Sequence, residues 1–209
     1  MDESKKINDL SYLDQDITLL VSCLNDLQKH GNPKRVQAFW NIVTYGRMVT
    51  FHLQKALKGI PDFESWYESK QKEMKEDELL QFFKEMRNKI EKERLVIPSN
   101  VVQISHLNLP NDLRRFGPPP PGAKGFFIGD QNGGSGWIVE GPEGDQSKFY
   151  VDLPRDIGKT WMTVDNIPKN HLGKEIIDSS LENVCRIYVR YLKKLVTEVK
   201  ENFGSGLKH

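Results

Sequence analysis

The stretch DELLQFFKEMRNKIEKE, from Asp77 to Glu93, decides how this chain is expected to fold. Its apolar residues recur every three or four positions, at Leu79, Phe83, Met86 and Ile90. This spacing predicts an amphipathic helix, capped by Asp77, whose apolar stripe packs on other helices. A polar pair, Arg87-Asn88, stands at the edge of that stripe. The helix therefore presents a guanidinium group and an amide beside a face that is expected to be buried.

The first hundred residues share this helical periodicity. A first helix is predicted from the capping-box spacing of Ser11 and Asp14. A second is predicted from Asn32 to Gly59, and because its apolar residues cover more than one face we expect it to be the most buried helix. A third begins near Asp62. These segments predict a helical bundle.

The pattern changes between residues 98 and 173, where prolines and glycines become frequent. Alternating apolar residues predict three short strands, over residues 125–129, 137–140 and 148–153. Turns rich in Gly, Asn and Asp separate them, so the simplest arrangement is an antiparallel meander packed on the helices. A capping-box spacing at Ser179 and Glu182 then predicts a long final helix.

The predicted fold is therefore mainly α, a helical bundle with a small antiparallel β-meander inserted before the last helix. We expect residues 1–97 to form the first part of the bundle and residues 98–173 to form the Pro/Gly-rich insertion. Residues 174–203 are predicted to return to the bundle as the C-terminal helix. Residues 204–209 are predicted to be a flexible tail.

Composition excludes several classes of function. The 30 Lys and Arg residues balance the 29 Asp and Glu residues, so no global field favours DNA or an anionic membrane, and no DNA sequence recognition is expected. The N-terminus has no apolar stretch typical of a secretion signal, and a cytoplasmic location is predicted. Cys23 and Cys185 are expected to be buried free thiols. Neither has a Cys or His at metal-ligand spacing, so no metal and no cofactor are predicted.

Four further patterns each allow a functional and a structural interpretation. The glycine-rich segment 129–136 is better explained as a β-turn than as a phosphate-binding loop, because it lacks the Gly-Lys-Ser/Thr ending. Residues 115–121 match the spacing of polyproline ligands, and a stiff linker is the simpler interpretation. Several aromatic residues could stack RNA bases, but the core of the sheet is the favoured interpretation for them. A basic stripe on the last helix could meet phosphates, but a solvated face is the favoured interpretation. The aromatic residues are Trp137, Phe149, Tyr150 and Trp161, and the basic ones are Arg186, Arg190, Lys193, Lys194 and Lys200.

Residues 82–90 resemble the helix of the HEPN superfamily, whose members are built around an Arg-x4-His signature that often has Asn after the Arg. In this chain Lys92 stands at the His position. The resemblance implies a four-helix bundle, usually dimeric, in which the Arg motifs of two subunits face one another. Some members cut RNA, and others have lost the motif and serve as binding or assembly modules. The chain as a whole also resembles a family of uncharacterised bacterial proteins, in residues 63–67, 79–93 and 118–137.

The candidate site residues are Arg87, Asn88 and Lys92. In a nuclease the Arg would polarise a scissile phosphate, the Asn would orient the groups, and a His would move protons. A lysine with its usual pKa of about 10.4 is a poor acid-base group at neutral pH. We therefore expect a non-catalytic HEPN-like binding or assembly module, self-associating as a homodimer, with RNA or protein as partner. The alternatives are a metal-independent endoribonuclease and a small-ligand-binding protein that uses the β-meander.

Overall fold

The computed structural model describes residues 10–93, 96–109 and 111–204. Five α-helices are present in this part of the chain. They are α1 (Ser11–Gln28), α2 (Arg35–Leu57), α3 (Phe63–Glu76), α4 (Glu78–Glu93) and α5 (Leu181–Phe203). The predicted helix of the Arg-Asn pair is confirmed as α4, and Asp77 caps it by accepting a hydrogen bond from the Leu80 amide at 2.9 Å.

Seven strands lie between α4 and α5 in the described residues, and they form three separate antiparallel sheets. β2, β3 and β4 form a meander in that order, β1 pairs with β5, and β6 pairs with β7. The strands are β1 (Ser99–Ile104), β2 (Ala123–Ile128), β3 (Ser135–Glu140), β4 (Gln146–Val151), β5 (Gly158–Thr163), β6 (Asn170–His171) and β7 (Lys174–Glu175).

The prediction of a mainly α fold, a HEPN-like bundle with one inserted meander, is wrong. The protein is a mixed α/β structure, with 52% of the described residues helical and 18% in strands distributed over three sheets. The meander was recognised, whereas the other two sheets were not. β1 and β5 are separated by more than fifty residues along the chain, so no local turn signal reveals their pairing. β6 and β7 have two residues each, which is too short for any alternation to show.

The main core lies between the helices. α1 and α2 pack against each other along their length, and α5 packs on α1, α2 and α4. The fully buried residues Leu20, Phe39, Leu79 and Val199 come from these four helices. Burying a large apolar side chain contributes roughly 1.5–3 kcal/mol, so this interface stabilises the helical part of the molecule.

The N-terminal ends of α1 and α5 show that both capping-box predictions were wrong. Ser11 begins α1 without acting as its cap, because the residue before the helix is Leu10 and no side chain caps it. At α5 the cap is Ser180 and not Ser179, and the Ser180 hydroxyl accepts a hydrogen bond from the Asn183 amide at 3.3 Å. Glu182, the predicted partner in that capping box, therefore points elsewhere.

The Glu182 carboxylate lies in the interior, where it pairs with the buried Arg35 at the start of α2. The same carboxylate accepts hydrogen bonds from the Met162 amide of β5 at 3.0 and 3.1 Å. The Arg35 guanidinium also donates to the Leu27 carbonyl of α1, to the Asn100 side chain of β1 and to the carbonyl of Asn132 in the glycine-rich turn. Burial raises the pKa of Glu182 and lowers the pKa of Arg35. The ion pair thus joins three helices to two sheets.

Cys23 and Cys185 are buried free thiols, as the sequence predicts, and burial raises the pKa of each. None of the helices within residues 10–93, 96–109 and 111–204 combines the length and apolar character needed to cross a bilayer. The predicted flexible tail, residues 204–209, lies outside the described residues except for Gly204.

Candidate functional site

A cavity of about 450 Å³ opens beside Arg87 and is walled by α2, α3, α4 and α5. This volume falls within the range of roughly 300–1,000 Å³ that is usual for small-molecule sites. The polar and charged residues of the lining are Arg47, Thr50, Gln54, Gln71, Lys75, Gln81, Lys84 and Arg87. The apolar and aromatic ones are Val43, Tyr67, Met74, Leu80, Phe83, Tyr188, Tyr191 and Leu192. We call this the Arg87 cavity.

The charges that line the Arg87 cavity are all of one sign. Two guanidinium and two ammonium groups line it, and no Asp or Glu does. Among the described residues, three carboxylates touch lining residues without belonging to the lining, and one of them, Asp77, accepts a hydrogen bond from the Leu80 amide at 2.9 Å. Glu91 lies 3.8 Å from the Arg87 Nε, and Glu73 accepts a hydrogen bond from the Tyr191 hydroxyl at 2.9 Å. The lining is therefore electropositive, and an anion is the ligand that it suits.

The Arg87 guanidinium is only partly used within the chain. Its side chain is 23% exposed, and its Nη2 donates to the Asn88 side-chain oxygen at 2.7 Å. Its Nε is buried and has no hydrogen-bond acceptor among the described residues. A buried donor without an acceptor is costly, by about 1–3 kcal/mol. The Glu91 carboxylate, 3.8 Å away, is the ion-pair partner of this nitrogen, so the Nε itself does not face the open space of the cavity.

Tyr188 forms the inner part of the cavity. Its ring stacks on Phe83 with the ring centroids 3.8 Å apart and the planes within 9°. It also covers Gly46, where a Cβ would lie 2.4 Å from the Tyr188 hydroxyl oxygen, so the glycine leaves room for the ring. Burial raises the pKa of Tyr188 well above its usual range, and the positive charges of Arg87 and Arg47 act in the opposite direction. Both guanidinium groups therefore lie close to one phenol.

The structure brings together two of the three predicted site residues. Arg87 and Asn88 are hydrogen-bonded neighbours, whereas Lys92 is exposed and does not line the cavity. None of the histidines within the described residues lines it either. Two of them are engaged elsewhere, His52 with Asp16 at 2.7 Å and His171 with Asp77 at 3.1 Å. The described lining thus contains no group suited to proton transfer at neutral pH.

Sequence reasoning missed the other cations of the cavity. Arg47 stands in the middle of the largely apolar helix α2, directly after Gly46, and that isolated charge was the available signal. Lys75 and Lys84 lie in segments where charges of both signs alternate, so nothing in the sequence distinguished them from solvated residues. Tyr188 recurs at helical spacing with the apolar residues of the last helix, so the pattern favours a core position and does not indicate a site.

A second cleft lies beside the glycine-rich turn. It measures about 760 Å³, and its lining includes Gly133, Gly134, Tyr150, Arg155 and Lys159. The amides of the turn are largely engaged, since those of Asn132 and Gly134 donate to the Asp130 carboxylate at 2.9 and 3.0 Å. The turn therefore does not present a free row of amides to a phosphate, unlike a phosphate-binding loop.

His30 borders this second cleft. The Thr160 hydroxyl donates to the Gly133 carbonyl at 3.0 Å, and the His30 Nδ1 lies 3.1 Å from the same hydroxyl oxygen. Burial, followed by the charge of Arg35, lowers the pKa of His30. Because the shift in pKa is downward from the usual value, the imidazole is mainly neutral at pH 7.

The described residues contain no group of three or more His, Cys, Asp or Glu side chains arranged to hold a metal ion. The Arg of the segment with polyproline-ligand spacing, for which a linker is the favoured interpretation, is engaged, because Arg115 forms a bidentate pair with Asp156 at 2.7 and 2.8 Å. Of the aromatic residues that are expected in the core of the sheet, Trp137 is buried and Phe149 is 52% exposed. None of these features supports a candidate site as well as the lining of the Arg87 cavity does.

The family of bacteriophage lambda protein ea47 matches residues 28–199, and the chain belongs to that family. The matched range contains all of α2 to α4 and all seven strands, and it therefore includes the Arg87 cavity. The name of the family assigns no activity. No curated protein and no solved structure matches the chain.

Proposed function

We propose that the protein is a non-catalytic binding module that holds RNA through the Arg87 cavity. The main support is the lining itself, with four cationic side chains and no carboxylate among its residues. Arg87 lines the cavity with a side chain that is 23% exposed, so its positive charge is accessible to a ligand. A phosphate group supplies both the negative charge and the acceptor oxygens that this arrangement lacks.

RNA suits the remaining surface of the cavity as well. Guanidinium groups bind phosphate with two parallel hydrogen bonds, and Arg47 and Arg87 each have further N–H groups beyond those bonded to Thr50 and Asn88. Tyr67 and the apolar residues Met74 and Leu80 offer contact to a ribose or to an unstacked base. The chain has nearly balanced overall charge, so the attraction is confined to this local patch.

The described part of the cavity lining contains no histidine, which is consistent with binding without cleavage. A nuclease of the Arg-x4-His type uses its His as general acid or base, and here Lys92 occupies that position outside the lining. We propose that α4 descends from such a HEPN helix and has kept the phosphate-binding Arg while losing the imidazole. Self-association as a homodimer stays a prediction, which sedimentation equilibrium would test.

RNA binding and RNA integrity, measured on the same samples, test this proposal. A labelled single-stranded RNA should bind the native protein in fluorescence anisotropy and remain intact on a denaturing gel. Arg87→Gln should weaken binding by roughly tenfold or more, since a charge-assisted hydrogen bond contributes about 1.5–3 kcal/mol. The matched control is Arg190→Gln, which removes an exposed arginine of α5 outside the cavity.

Three outcomes would contradict the proposal. Equal loss of affinity in both variants would show that binding depends on general charge. Cleavage that disappears in Arg87→Gln would establish the endoribonuclease alternative. Binding of a protein partner through Arg87, with no RNA bound, would make the module a protein-binding one.

A small-ligand site in the second cleft is the other candidate function. The observation in its favour is the cleft of about 760 Å³ beside the predicted glycine-rich turn, with Arg155, Lys159 and the neutral His30 on its walls. A thermal-shift screen of small anionic metabolites should then show stabilisation that is lost in Lys159→Gln and retained in Arg87→Gln. The reverse pattern would exclude this cleft.

A further inference from the structure

We infer that the Arg87 cavity receives a terminal phosphate monoester of RNA in preference to an internal phosphodiester. This inference rests on the proposed function and specifies which part of the RNA the cavity holds. It derives from three features of the site, which are its walls, its charge and its apolar side.

The walls of the Arg87 cavity favour an end of an RNA molecule over an internal segment. α3 and α4 are joined at Asp77 with no intervening loop, and residues on both sides of this corner, Lys75 and Leu80, line the cavity. The corner therefore closes the space between the two helices, while α2 and α5 supply the remaining walls. A volume of about 450 Å³ is enough for a compact terminal nucleotide. To place an internal phosphodiester in the cavity, the RNA strand would have to both enter and leave between these helices. A terminal phosphate requires the RNA only to enter.

The charge of the cavity favours a dianion. A phosphate monoester carries about −1.5 to −2 charges at pH 7 and offers three terminal oxygens, whereas a diester carries a single charge. Arg47 of α2 and Arg87 of α4 line the cavity together with Tyr188. Arg47 uses its Nη1 on Thr50, whereas Arg87 uses its Nη2 on Asn88 and its Nε faces Glu91 at 3.8 Å. The other N–H groups of the two guanidiniums suffice for the oxygens of one monoester. Lys75 and Lys84 add two more charges at the same cavity.

The apolar side of the cavity can contact the ribose or base that adjoins the terminal phosphate. Tyr67 lines it from α3, and its ring stacks on Phe63 with the ring centroids 5.5 Å apart. The ring is thereby fixed in orientation, as a stacking surface requires. A terminal nucleotide would place its phosphate between the guanidiniums and its ribose or base against Tyr67 and Met74.

Three RNA oligonucleotides of one sequence test this inference, one with hydroxyls at both ends, one with a 5′-phosphate and one with a 3′-phosphate. A fourth with hydroxyl ends and two additional nucleotides controls for added charge. We expect one phosphorylated form to bind at least about tenfold more tightly than the hydroxyl form at constant ionic strength. The identity of that form tells which end enters the cavity. The preference should disappear in Arg47→Gln and persist in Arg190→Gln.

The outcomes separate this inference from the proposed function. Equal affinity for all ends, with binding still dependent on Arg87, would overturn the end preference and leave RNA binding in place. An end preference that survives both Arg47→Gln and Arg87→Gln would overturn both, because the phosphate would then bind elsewhere. Since Arg47→Gln also removes a hydrogen bond to Thr50, its melting temperature is measured first. The exposed Lys84→Gln supplies a second variant that should reduce the preference without altering the fold.

Discussion

Removing the carboxylate of Glu182 should destabilise the protein more than any surface change on α5. Arg35 is 2% exposed and would remain as a buried cation without its partner. The Met162 amide, which donates to both oxygens of the carboxylate, would lose its acceptor as well. Breaking one side of a buried pair costs about 3–5 kcal/mol. We therefore expect Glu182→Ala to lower the free energy of unfolding by about 3–5 kcal/mol.

Urea unfolding followed by circular dichroism measures this loss. In a chain of this size about 1 kcal/mol corresponds to roughly 2–4 °C in melting temperature, so a decrease of roughly 6–20 °C is expected in parallel. The matched control is Glu201→Ala, which removes an exposed carboxylate from the same helix and should change stability by less than about 0.5 kcal/mol.

A double-mutant cycle identifies the cause of the loss. Burial raises the pKa of Glu182 and lowers the pKa of Arg35, so both charges are held against a desolvation cost. The combined Arg35→Met, Glu182→Ala variant removes both charges and should be less destabilised than the sum of the two single changes. A loss below about 1 kcal/mol in Glu182→Ala, or strict additivity in the cycle, would refute the reasoning.

Three further predictions concern packing, capping and pH. Gly46→Ala places a Cβ 2.4 Å from the Tyr188 hydroxyl oxygen, so it should destabilise the protein by about 1–3 kcal/mol in urea unfolding. Ser180→Ala removes the hydroxyl that accepts a hydrogen bond from the Asn183 amide, and it should lower the free energy of unfolding by about 1 kcal/mol. Ser180→Asp keeps an acceptor at this position and should retain most of that stability. Burial lowers the pKa of His30 in the folded protein. As pH falls below about 6.5, the unfolded chain therefore binds a proton at His30 before the folded protein does, and the free energy of unfolding decreases. His30→Gln should reduce this decrease in the urea midpoint between about pH 7 and pH 5, and an unchanged slope would contradict the assignment.

The helices were predictable from sequence because their signals are local. The periodicity of Leu79, Phe83 and Met86 and the cap at Asp77 all lie within ten residues, and α4 forms as these features predict. The meander was predictable for the same reason, since its strands are joined by short glycine-containing turns. Local consistency of this kind does not depend on the rest of the fold.

The remaining strands and half of the site depend on contacts between distant residues. β1 pairs with β5 across the whole meander, which made the fold mixed α/β and not mainly α. The predicted capping role of Glu182 failed because a buried guanidinium far away in sequence, that of Arg35, holds the carboxylate. Arg47 lines the same cavity as Arg87 only because α2 and α4 pack together, and no spacing within one helix reveals that arrangement.

Photo-crosslinking of a bound RNA, followed by identification of the modified peptides, tests the central claim most directly. If RNA lies in the Arg87 cavity, a 5′- or 3′-phosphorylated RNA with a photoreactive end nucleotide should label peptides that contain Tyr67, Tyr188 or Tyr191. Labelling should disappear in Arg87→Gln. Crosslinks confined to Trp161 in the sheet region, or to the exposed Arg190 face of α5, would show that RNA binds another surface and would contradict the assignment of this cavity.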